Sequence, residues 1–334
     1  MLDIELEKYA NCIKGTLNYI FPKYLLKQFF QVIKDNKLTI DLDIEMLDFN
    51  KELIMILQDF EFNKIYRYSC ILSYDKFDIN ILNEKIQKGI ILTKDGNIYD
   101  NISLVISTPT LYQSENKHIL KFSLTKGHTS VSDYNKDSVH SEYLKYTVLV
   151  VIHEDIKVIE IRYDILPIKF RDTRNFYKEM IIQIRTWLEA VLEIKTNSYD
   201  MKINEKSFVS NEVSLSGISL RTTDGSKVAF DKGFEWNKPL PIIDRIKGII
   251  LQYQTKMISE LKQDLEDLII DIEELSDSQW CKLYFINFGV SLTINYAYGD
   301  TGLTTLTYSS LESKNGKEMM DYVIKYLVNC GEKT

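Results

Sequence analysis

The stretch that most limits what this chain can fold into is 146–152, Tyr-Thr-Val-Leu-Val-Val-Ile, an almost unbroken apolar run. A run this short and this apolar reads as a strand buried on both faces. A turn at 154–157 leads into a return strand, Val158-Ile159-Glu160-Ile161-Arg162-Tyr163. Its polar residues alternate, so Glu160, Arg162 and then Asp164 fall on one face. Such a hairpin belongs in a sheet with a helix across one side. That helix is expected at 173–194, where Phe176, Met180, Ile184, Trp187 and Val191 recur at helical spacing.

The rest of the chain repeats these two patterns. Helices are expected over the first 35 residues, restarted by Pro22, over 50–60, over 78–88 and over 316–328. Strands are expected at 65–74, 104–107 and 120–125. Asp95-Gly96 suggests a tight hairpin between 90–93 and 97–99, and Asp224-Gly225 another between 213–222 and 228–230. Strands are also expected at 281–288, 290–298 and 303–308, the last two joined by a turn at 299–302. The polar stretch 126–142 reads as one long loop. The fold class is therefore α+β, with antiparallel hairpins covered by helices. Lys238-Pro239-Leu240-Pro241 interrupts the chain, which gives an expected division into a helical region 1–64, a mixed domain 65–238 and a C-terminal part 239–334.

The longest expected element is a single amphipathic helix at 242–275. Ile246, Ile250, Tyr253, Met257, Leu261, Leu265, Leu268, Ile272 and Leu275 follow something close to a heptad seam. At full length such a helix would span roughly 50 Å. It ends among acids: Asp264 to Asp277 holds seven Asp or Glu and no Lys or Arg, which equals the whole net charge of −7. A seam flanked by acids suits self-association or a partner protein.

One basic cluster stands out elsewhere. Lys169 and Arg171 precede the 173–194 helix, and Arg174, Lys178 and Arg185 lie close together around its axis. These five residues form a candidate contact for nucleic-acid phosphates or an acidic partner.

Catalytic signals are sparse. There is no GxxxxGK[ST], GxGxxG or GxSxG motif, which argues against phosphate-loop, dinucleotide and serine-hydrolase sites. All four histidines lie within 118–153, but without metal-ligand spacing, and the four cysteines are far apart. No metal and no cofactor is expected. The leading expectation is a non-enzymatic binding and assembly protein. The alternative is a metal-dependent nuclease or other hydrolase that uses His153, Glu154, Asp155 and Glu160. The Ile, Lys, Asn and Tyr content points to an AT-rich genome, which suits a bacterial mobile-element or antiviral accessory. The acidic N-terminus lacks a secretory signal and no apolar run is long enough to span a membrane, so the expected location is the cytoplasm.

Overall fold

In a computed structural model of the protein, the described residues are 2–36, 51–94, 101–114, 116–131, 139–199, 201, 210–221, 225, 227–231, 241–270, 277–296, 303–309 and 316–331. The chain is α+β, with mostly antiparallel strands and helices packed on them. It divides into two compact units, Met1–Tyr199 with Lys314–Met320, and Asp200–Ser313 with Asp321–Thr334.

The first unit starts with α1 (Leu2–Tyr19), α2 (Lys23–Asp35) and α3 (Lys51–Asn63). Then come β1 (Tyr68–Tyr74), α4 (Ile79–Gln87), β2 (Leu92–Thr93), β3 (Ile102–Ser103), β4 (Thr110–Ser114), β5 (Lys117–Val131), β6 (Val139–His153) and β7 (Val158–Tyr163). It closes with α5 (Phe176–Leu192) and β8 (Thr196–Ser198). The central order is β1-β7-β6-β5-β4, antiparallel throughout, with Val150 opposite both Leu120 and Ile161.

The hairpin that governs the sequence pattern sits in the middle of this sheet. Every residue from Leu144 to His153 is buried, as expected of a strand covered on both sides. One face carries Tyr146, Val148 and Val150 and lies under α5. Phe122 meets Trp187 edge to face at 5.1 Å, and Tyr146 meets Phe176 at 5.6 Å. The opposite face carries Lys145, Thr147, Leu149, Val151 and His153. There α1 approaches β6 so closely that a Cβ on Gly15 would fall 2.0 Å from the Tyr143 carbonyl oxygen. The Thr16 hydroxyl donates to the Lys145 carbonyl at 2.7 Å and accepts the Lys145 amide at 2.9 Å. Phe21, Phe29 and Phe60 tie α2 and α3 together, with centroids 5.3–6.3 Å apart.

The second unit holds β9 (Val213–Arg221), β10 (Lys227–Asp231), α6 (Pro241–Tyr253), α7 (Ser259–Ile270), β11 (Asp277–Phe285), β12 (Val290–Asn295) and β13 (Thr305–Ser309). The strands run antiparallel in the order β10-β9-β11-β12-β13. The chain's last helix, α8, covers Gly316–Gly331. In this unit its Tyr322 and Tyr326 meet Phe285 edge to face.

Besides the strand expected at 104–107, which does not form because β3 ends at Ser103 and β4 begins at Thr110, two expectations are corrected. The single helix at 242–275 is broken: α6 ends at Tyr253, residues 254–258 form a turn, and α7 begins at Ser259. Tyr253 closes that turn, its carbonyl accepting the amides of Lys256 and Met257. Folding back lets both halves of the seam reach the same strand. Ile243, Ile250 and Ile269 pack with Ile218 and Leu220 of β9, and Ile246 and Leu265 pack against the edge of that cluster. Residues 271–275 lie outside the described part. The second correction concerns the polar stretch 126–142. Residues 126–131 and 139–142 extend β5 and β6, paired out to Val131 opposite Val139. The Asp95-Gly96 hairpin, Asp224 and the turn at 299–302 fall outside the described residues.

Candidate functional site

Two regions of the first unit collect charged side chains, one sealed and one at the surface. The sealed region is the sheet face opposite α5. The alternation that puts Glu160, Arg162 and Asp164 on one face does not leave them in water: Glu160 and Arg162 are fully buried, and Asp164 nearly so. Arg162 donates to Glu160 Oε2 through Nε at 2.8 Å and Nη2 at 2.6 Å. His153 Nε2 stands 3.7 Å from the same oxygen, too far for a hydrogen bond. Neither ring nitrogen of His153 has a hydrogen-bond partner, and neither does Glu160 Oε1. Burial alone would raise the Glu160 carboxyl. The Arg162 guanidinium, with His153 beside it, outweighs burial and holds it below its ordinary value.

The alternative catalytic set therefore divides. His153 and Glu160 are brought together but sealed. Glu154 lies at the exposed turn, where its carboxylate meets His118 Nε2 at 2.7 Å, and Asp155 is exposed beside it. Among the described residues no three His, Cys, Asp or Glu side chains gather as a set able to hold a metal ion.

A second buried carboxylate shares this face. Glu61 of α3 meets Lys145 Nζ at 2.7 Å and Lys121 Nζ at 3.3 Å through Oε2, and accepts the Thr147 hydroxyl at 3.1 Å through Oε1. This group was not legible in the sequence. Its members come from positions 61, 121, 145 and 147 on three elements, and no local spacing links them.

The surface region lies around the start of α5 and holds four of the five basic residues expected there, Lys169, Arg171, Arg174 and Lys178. Arg185 does not reach it. Its guanidinium is spent on β8, donating to Thr196 Oγ1 at 2.9 Å and the Thr196 carbonyl at 2.8 Å. Lys169 is exposed and ion-paired with Glu142, whose carboxyl is pulled down by that bond and by the Tyr19 hydroxyl. Arg171 donates to the Leu166 carbonyl at 2.7 Å and lies over the Tyr177 ring, 5.0 Å from its centroid. Arg174 is exposed and Lys178 half-buried.

Acids stand near these bases too: Asp172 meets Lys126 at 2.6 Å, while Glu179, which accepts the Thr173 hydroxyl at 3.0 Å, and Glu189 are exposed on α5.

No known protein family matches the sequence, and no curated protein resembles it. Among the described residues no helix is long and apolar enough to cross a membrane.

Proposed function

We propose that this is a non-enzymatic binding and assembly protein of the cytoplasm. It recognises a nucleic acid or another acidic partner through the basic surface at Lys169, Arg171, Arg174 and Lys178. The observation that supports this reading is the exposed Arg174 beside Lys169 and Arg171 at the start of α5, where the neighbouring Asp172 is ion-paired with Lys126. The sealed position of His153 and Glu160 counts against the hydrolase alternative, because a substrate has no path to them.

Assembly would run through the α6–α7 hairpin. The seam's inward half is used by β9, but Leu251 is 69% exposed and Ile258 67%. Tyr253, Leu261 and Leu268 are exposed as well. A second copy is the occupant that charge favours. α7 carries Glu260, Asp264, Glu266 and Asp267 against Lys262, and α6 carries Arg245 and Lys247 against Asp244, so an antiparallel pair would set the more acidic helix against the more basic one.

The test is a salt series of labelled single- and double-stranded DNA and RNA, followed by anisotropy, with light scattering on the same preparation. Binding that falls steeply with salt, with a shallower slope in Arg174→Glu/Lys178→Glu, is the expected result. A monomer that binds no oligonucleotide at low salt would overturn the proposal.

A further inference from the structure

Beside the bases stands an aromatic cluster that the sequence did not single out. Tyr68 of β1 and Tyr163 of β7 are register partners with ring centroids 5.6 Å apart. Tyr177 of α5 stacks on Tyr163 at 5.3 Å with 28° between the ring planes, and lies 6.3 Å from Tyr68. The Arg171 guanidinium covers Tyr177. Tyr163 is buried, whereas Tyr68, Tyr177 and Arg171 are half-buried and form the outer rim.

The segment leading to this rim is pinned in place. The Tyr177 hydroxyl accepts the Leu166 amide at 2.8 Å, and Arg171 Nε donates to the Leu166 carbonyl. A short 3₁₀ turn at Ile168–Phe170 follows Leu166, and its Ile168 is 80% exposed. Ile165 is exposed on the same segment. Holding such side chains in water has no benefit to folding, and prior ordering lowers the cost of binding.

We infer that this rim binds single-stranded nucleic acid, with bases packed on Arg171, Tyr68 and Ile168 and phosphates held by Lys169, Arg174 and Lys178. The inference rests on the basic-surface reading and narrows it. An acidic peptide would need the charges alone. Flat guanidinium and phenol faces next to an exposed apolar side chain match unstacked bases, which offer a π-face whatever the sequence. A duplex hides those faces.

The deciding experiment compares labelled oligo(dT), oligo(rU), a duplex of equal length and anionic vesicles, using wild type, Ile168→Ala, Arg171→Lys and Arg174→Glu/Lys178→Glu. The Lys variant keeps the charge and removes the plane. Thermal melts confirm that each variant is folded, and Ile168→Ala tests the rim without touching the Arg171 hydrogen bond. Wild type should prefer single strands to duplex. Ile168→Ala and Arg171→Lys should each weaken single-strand binding by about tenfold with an unchanged salt slope, the scale of losing one stacked base. Single-strand binding unaffected by both rim variants but lost in Arg174→Glu/Lys178→Glu would overturn the stacking inference and leave the basic-surface reading standing. Preference for vesicles or duplex would also overturn it, and no binding of any oligonucleotide would overturn it together with the nucleic-acid form of the basic-surface reading.

Discussion

Glu61 and Glu160 are buried on the same face of the same sheet, yet their surroundings differ. Glu61 uses both oxygens and faces two lysines and a threonine hydroxyl. Glu160 puts two Arg162 bonds on one oxygen and leaves the other unbonded, beside a histidine with two unbonded nitrogens. In a low-dielectric interior a satisfied network fixes one arrangement, whereas an incomplete one retains a cost that another state can relieve. The Glu61 group therefore reads as architecture that joins α3 to β5 and β6. The Glu160 group is the place where a change of protonation or side chain meets the least resistance.

The largest effect should come from the completed group. Glu61→Ala leaves two fully buried ammonium groups without the carboxylate that they share. Removing one partner from a buried ion network costs about 3–5 kcal/mol. Urea unfolding monitored by fluorescence should show this as a lower midpoint. A loss under about 1 kcal/mol would mean that the group adds little to stability, and the contrast with Glu160 would collapse.

Glu160→Gln should cost less, about 1–3 kcal/mol near neutral pH, because the amide oxygen still accepts from Arg162. Its pH dependence is the sharper test. The folded-state carboxyl lies below its ordinary value of 4.5, so its contribution is complete above that value and is lost as pH falls through the lower, folded-state value. The gap between wild type and Glu160→Gln should therefore narrow in acid. A gap constant from pH 7 to pH 3 would show that Arg162 does not stabilise the charged form.

What the sequence revealed and what it hid have separate physical causes. The 146–163 hairpin and α5 were legible because an apolar run and a helical stripe are local patterns that burial enforces. The charged residues on that sheet were misread for the same reason: alternation places Glu160 and Arg162 on one face but does not say whether that face is covered. Residues 126–142 looked like a loop because Lys126, His128, Ser130 and Glu142 lack strand propensity. Pairing across fifteen residues of β5 and β6 overrides that preference. The break between α6 and α7 was hidden because 254–258 contains neither Gly nor Pro, and apolar residues continue across it at steps of four, Tyr253, Met257 and Leu261. Only the strand underneath, with Ile218 and Leu220 waiting for both halves, supplies the reason to fold back.

The smallest effect is predicted for the histidine that looked most catalytic. His153→Leu replaces a sealed ring that makes no hydrogen bond through either nitrogen with an apolar side chain. A buried polar group without a partner is costly, and its replacement by an apolar one is commonly neutral or favourable. The expected change is within about 1 kcal/mol in either direction, read from the same urea curves. The 3.7 Å approach to Glu160 gives the competing outcome. If the ring is charged, its removal takes a counter-ion from a buried carboxylate, and the loss should exceed about 2 kcal/mol. That result would make His153 and Arg162 joint partners of Glu160, and the second group would then be a completed network like the first.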